Sequence, residues 1–172
     1  MAEKFNIAKK WWFWVIIGVV VVGTIGIVAG TSKTSSGTTN KTENKTYGLN
    51  ETVTVNDLVF KIESVYDTKQ VGSQYVGEST ENNFAVVTFE VKNLANSEKT
   101  VMSENFKYYR GSSVYEASSA GIYLDEGFYV LKEIGSGLSK KFSVVYEIPT
   151  SHESSDYILV KDSYKTEKIF LK

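Results

Sequence analysis

The chain of 172 residues has no cysteine and a single histidine. Without cysteine there is no disulfide framework, thiolate zinc site, iron–sulfur cluster or cysteine nucleophile. One histidine leaves too few ligands for a zinc centre, which draws three or four from His and Cys. A single proline excludes collagen-like and proline-rich structure. A formal net charge of −1 excludes a disordered polyanion and a strongly basic nucleic-acid binder. Charge is missing altogether between Lys10 and Lys33, and tryptophan is missing beyond Trp14. What is present is ordinary for a globular chain: 42% hydrophobic and 23% charged residues. The eleven tyrosines favour strands.

The charge-free run, Trp11 to Gly30, reads WWFWVIIGVVVVGTIGIVAG. Its 20 residues reach about 30 Å as a helix, the thickness of a hydrocarbon core. Thr24 can bond back to the carbonyls of its own helix. Val and Ile are mediocre helix formers in water, but lipid forces the backbone to satisfy itself. Trp11, Trp12 and Trp14 sit at one end, as interfacial anchors do, and Lys4, Lys9 and Lys10 precede them. The expected organisation is a cytoplasmic N-terminus at 1–10 and a transmembrane helix at 11–30, with everything beyond outside the cell. The rival is a secreted product whose signal peptide is cleaved near Ala29 and Gly30, although the apolar core is longer than such peptides usually carry. Gly26 and Gly30 form one small-xxx-small pair, a weak signal for helix packing.

Residues 31–47 form a polar tether of Thr, Ser, Asn and Lys, with no apolar residue before Tyr47. Asn40, Asn44 and Asn50 open glycosylation-type triplets of the kind that polar, Thr-rich sequence produces by chance. The domain at 48–172 is written in short strands. ETVTV (Glu51–Val55) alternates, and so does Leu58–Tyr66 until its phase slips near Glu63–Val65, where a bulge is expected. In Asn83–Asn93, Ala85, Val87, Phe89 and Val91 share one face. In Leu138–Ile148, Phe142, Val144, Tyr146 and Ile148 alternate with Lys141, Ser143, Val145 and Glu147. Weaker strands are Lys99–Met102, Phe106–Tyr109, Val114–Glu116, Tyr157–Val160 and Lys168–Leu171. Gly111-Ser-Ser, Asp125-Glu-Gly and Gly135-Ser-Gly read as turns, the last as a hairpin turn. The pattern predicts an antiparallel sandwich or barrel. From Leu49 onward there are 13 basic and 18 acidic residues, a charge of −5, which argues against nucleic acid and anionic lipid heads as partners.

Three stretches carry a family resemblance: GLNETVTVNDLVFKIESV, NNFAVVTFEVKNLANSEKTV and GLSKKFSVVYEIPTSHESSDYILV. They resemble the exported bacterial domain of unknown function 4352, over most of residues 48–171. The resemblance implies an all-β, immunoglobulin-like antiparallel β-sandwich, like that of a mycobacterial extracellular antigen, here preceded by one N-terminal transmembrane helix. The family brings no catalytic residues to transfer. Asp67–Asn82 departs from its pattern as a long insertion-like loop.

Little in the sequence points to chemistry. His152, in PTSHESSD, reads as solvated in an exposed loop, not as a triad member. Asp125-Glu126 and Glu153 with Asp156 read as acidic surface turns; neither carries the ladder of oxygens that calcium needs. No cofactor or metal is expected. Tyr108, Tyr109, Tyr115, Tyr123 and Tyr129 crowd one segment and are the candidate partner contacts. Adjacent Tyr108 and Tyr109 must face opposite ways on a strand. The expected function is a non-catalytic binding or interaction module on the cell membrane, holding an unknown protein or cell-envelope ligand. The alternatives are a secreted immunogenic-type protein and a carboxylate-based glycan-active enzyme.

Overall fold

Alternation of inward and outward residues governs the part of the chain that the computed structural model describes, residues 46–172. The segments expected at 1–10 and 11–30 lie outside those residues, as does nearly all of the tether at 31–47. Among the described residues no helix is long and apolar enough to cross a membrane.

Strand β1 (Thr52–Val55) turns through Asn56 and Asp57 into β2 (Leu58–Gly72). Asn56 takes φ 51°, a left-handed conformation that Asn tolerates better than most residues. Strand β3 (Gly77–Asn93) returns along β2, and β8 (Ser139–Ile148) pairs with β3, giving the order β1-β2-β3-β8. The second sheet holds β5 (Phe106–Arg110), β6 (Ser113–Tyr115), β9 (Tyr157–Asp162) and β10 (Lys165–Phe170) in the order β10-β9-β5-β6. Strands β4 (Lys99–Met102) and β7 (Leu131–Ile134) form a two-stranded ribbon. Every ladder between these strands is antiparallel.

The two larger sheets enclose one core, which makes an all-β antiparallel sandwich. Phe60 and Ile62 of β2, Val87 and Phe89 of β3, and Phe142 and Val144 of β8 meet Phe106, Ile158 and Val160 of the second sheet, all fully buried. The inward faces expected for β3 and β8 are the ones observed. The expected bulge is present as a register shift between Ile62 and Ser64.

Three expectations change. Asp67–Asn82 is not a loop: β2 and β3 run on through it, pairing Gln70 with Ser79 and Gly72 with Gly77. A second register shift between Thr68 and Gln70 breaks the alternation, so a paired arm reads as a polar loop. Glycine is required at the arm's tip. Gly72 has φ +80°, and a Cβ on Gly77 would stand 2.3 Å from the Val71 carbonyl oxygen. Val145 does not face solvent. It is buried with Val71, Phe84, Val86 and Ala120 in a second cluster, beneath a 3₁₀ turn at Ser119–Tyr123. Gly135-Ser-Gly closes no hairpin, because it joins β7 to β8 and those strands belong to different sheets. The connection after β6 also protects the free edge of β8. Ser118 N–H donates to the Val145 carbonyl at 2.7 Å, and Phe128 N–H to that of Ser143 at 2.8 Å.

Candidate functional site

In the second sheet the inward residues Phe106, Tyr108, Ile158, Val160 and Ile169 turn their neighbours outward. Register then aligns what faces solvent. Tyr109 lies opposite Tyr157, and Tyr157 opposite Phe170. Lys107, Leu159 and Lys168 form the next row, and Lys161 with Thr166 the one after. Tyr109 and Tyr157 stack with centroids 5.0 Å apart and planes 3° from parallel. Phe170 continues the row at 5.4 Å, tilted by 45°. Lys168 Nζ stands 4.6 Å from the centre of the Tyr157 ring, and Lys172 Nζ 5.5 Å from that of Phe170. Each is a cation–π contact that holds an ammonium group on the face.

Beside this row lies an open depression of about 760 Å³, bordered by Glu104, Lys107, Tyr109, Leu159, Lys161 and Tyr164. Tyr164 belongs to the two-residue turn between β9 and β10 and is fully exposed. The preceding Ser163 takes φ 55°, a left-handed conformation costly for a residue with a side chain.

The two outer faces differ in charge. On the first sheet Lys61 pairs with Glu63 at 3.4 Å and Glu90 at 3.9 Å, and Lys141 with Glu63 at 2.9 Å. The hydrogen bond from Lys141 lowers the Glu63 pKa and raises that of Lys141. Lys61, Lys141, Glu63 and Glu90 balance one another there, and among the described residues Lys92 beside them is in no ion pair. On the second sheet Lys107 pairs with Glu116 at 2.5 Å, a contact that raises the lysine's pKa. Among the described residues no ion pair involves Lys161, Lys168 or Lys172. This face carries uncompensated positive charge on a domain of net −5.

The five candidate tyrosines are not brought together. Tyr109 belongs to the aromatic row. Tyr108 faces the other way and is wholly buried, its hydroxyl bonded to Asp156. Tyr115 lies against the core, edge-on to Tyr108 at 5.9 Å. Tyr123 covers the second cluster, on the outer side of the first sheet. Tyr129 is exposed, in the stretch before β7. Tyr157, Phe170, Lys168 and Tyr164 join the site although the sequence did not single them out.

The segment after β8 is clamped by two acidic residues. Asp156 is fully buried, not on the surface, and accepts hydrogen bonds from Tyr108, from Arg110 Nη2 at 2.6 Å and from the Glu153 N–H at 2.8 Å. Burial pulls its pKa up, but the bonds from Arg110 and Tyr108 outweigh this and hold it below its ordinary value. His152 is not free in solvent either. Its N–H and its Nδ1 both reach Asp67, the latter at 2.8 Å. Among the described residues no group of three or more His, Asp or Glu side chains is placed to hold a metal ion.

Residues 47–169 match the domain of unknown function DUF4352. The chain belongs to that family. No curated protein matches its sequence. Solved structures similar to this DUF4352 chain include the yjhA protein of Bacillus subtilis, at 9% identity and a TM-score of 0.57, covering 73% of this chain and 99% of that one. A conserved hypothetical protein from Bacillus anthracis is 20% identical with a TM-score of 0.53, over 71% of this chain and 94% of its own. The secreted protein MPT63 of Mycobacterium tuberculosis is 12% identical with a TM-score of 0.55, over 76% and 98%. At these identities the likeness is one of fold.

Proposed function

We propose that this DUF4352 chain is an exported, membrane-tethered binding module without catalytic activity, and that it holds a cell-envelope ligand through the outer face of its second sheet. The observation that carries this reading is the row Tyr109–Tyr157–Phe170 beside the unpaired ammonium groups of Lys161 and Lys168. These three rings are half-buried and stand on the solvent side of the sheet, where an apolar body beside ammonium groups suits contact with a partly apolar, negatively charged ligand. A glycan-cleaving enzyme needs a carboxylic acid that keeps its proton near neutral pH. The buried carboxylate, Asp156, is held ionised instead, and its bonds are spent on the loop it anchors.

The placement outside the cell rests on Lys9 and Lys10 abutting the charge-free run at 11–30. The secreted nature of MPT63 supports it. Protease added to intact protoplasts is expected to remove residues 46–172 while a cytosolic control survives; a protected domain would reverse the orientation. Release of the whole domain into the medium without protease would favour signal cleavage over the anchor.

The face itself is tested with the full chain, purified in a neutral detergent, and envelopes isolated from the bacterium that makes it. The double variant Lys161→Glu, Lys168→Glu is expected to bind those envelopes at least about tenfold more weakly, a loss of about 1.4 kcal/mol. Both side chains are exposed, so the substitutions leave the core untouched, and circular dichroism checks the fold. Unchanged envelope binding by this variant would move the site elsewhere.

A further inference from the structure

We infer that the ligand of this face is an anionic glycan, a sugar polymer carrying phosphate or carboxylate groups; the inference rests on the binding reading above. Two features of the face point to that chemistry together. The first is sign. Lys107, Lys161, Lys168 and Lys172 gather on one side of a domain with net charge −5, against Glu116, which engages Lys107, and Glu104. Strand register puts Lys107 and Lys168 on either side of Leu159, and Lys161 in the neighbouring row, so the cations are spread over the face and suit a ligand with several anionic groups better than a single ion. Lysine is a compact point charge with three donors and takes either phosphate or carboxylate.

The second feature is shape. Tyr157, in the middle of the row, is taken up by Tyr109, Phe170 and Lys168 around it. Tyr164 is different. It stands free at the border of the depression, held out by a turn whose Ser163 is in a costly left-handed conformation. Its ring offers an open face to the C–H side of a pyranose, with the half-buried Leu159 as an apolar floor and Lys161 alongside. A bare polyanion has no use for that ring; a neutral glycan has no use for those lysines. An anionic glycan uses both. Its sugar lies against Tyr164 and Leu159, and its charged groups reach Lys161 and Lys168.

Titration of the full chain in neutral detergent separates the possibilities. The probes are polygalacturonate and a glycosylated poly(glycerol phosphate), with dextran as the neutral glycan and polyphosphate as the sugar-free anion. The expected result is saturable binding of at least one anionic glycan, stronger than either control. Which of the two binds more tightly identifies carboxylate or phosphate as the charge source. Lys161→Glu with Lys168→Glu is expected to weaken that binding at least about tenfold. Tyr164→Ala is expected to erase the margin over polyphosphate while leaving polyphosphate binding unchanged. Circular dichroism checks that both variants keep the wild-type fold. Polyphosphate binding as tight as the glycans, indifferent to Tyr164, would overturn the glycan assignment. So would binding of dextran that ignores the lysines. If neither anionic glycan binds but the lysine variant still loses its hold on whole envelopes, the glycan class is wrong and the binding face stands. If that variant holds envelopes like the wild type, the face itself is wrong.

Discussion

Phe106→Ala is expected to cost the domain about 3–5 kcal/mol of stability, much of what a domain of this size has. Phe106 starts β5 and projects into the middle of the sandwich with no exposed surface. Its ring meets Phe60 at 5.7 Å, Phe128 at 5.7 Å and Phe142 at 5.5 Å, all edge-on, and Phe89 at 4.9 Å. Edge-to-face pairs place the positive rim of one ring on the negative face of another, so truncation loses that attraction as well as buried area. The hole cannot collapse easily, because its walls belong to both sheets and to the connection that brings in Phe128. The measurement is denaturant unfolding of wild type and variant, read as the shift in midpoint at constant slope. A midpoint equal to wild type would mean that this ring does not join the two sheets.

Strands whose residues alternate without interruption are legible in the amino-acid sequence alone. Ala85, Val87, Phe89 and Val91 share a face because nothing disturbs β3 between them, and they are buried as that phase requires. The opposite facing of Tyr108 and Tyr109 follows from pleat geometry alone. Legibility stops where the cause is distant in the chain. Val145 alternates as an outward residue, yet the turn at Ser119–Tyr123 covers it, and no local pattern announces that cover. The tyrosines crowd in sequence but not in space, because the chain after β6 leaves the second sheet and crosses to the outer side of the first. The aromatic row arises the other way round. Tyr109, Tyr157 and Phe170 become neighbours only when β5 pairs with β9 and β9 with β10, and single-sequence alternation says nothing of partner or register.

Asp156 is equally hidden, since its partner Arg110 is 46 residues away. Removing this carboxylate is the second large effect expected. Arg110 donates to Asp156 through Nε and Nη2, and through Nη1 and Nη2 to Thr150 Oγ1 and the Ser151 carbonyl, each at 2.8 Å. Asp156→Ala would leave a guanidinium and the Tyr108 phenol facing a buried gap. Breaking one side of a buried pair costs about 3–5 kcal/mol. The lower end applies here, because the Arg110 side chain keeps 17% exposure and can recover some water. Asp156→Asn separates charge from volume through its pH dependence. The carboxylate's pKa is lower in the folded domain than in the unfolded chain. The unfolded state therefore takes up the proton first, so the stability from this group is present above the unfolded value, about 4, and is lost as pH falls through the folded value. Glu63 and Glu147 are also shifted down, and their acid dependence is shared by wild type and variant. The difference in unfolding free energy between wild type and Asp156→Asn isolates the one group. It is expected to be flat near neutral pH and to shrink below about pH 4. A difference that stays constant into acid would show that the loop is held by packing and hydrogen bonds alone, with no contribution from the charge on Asp156.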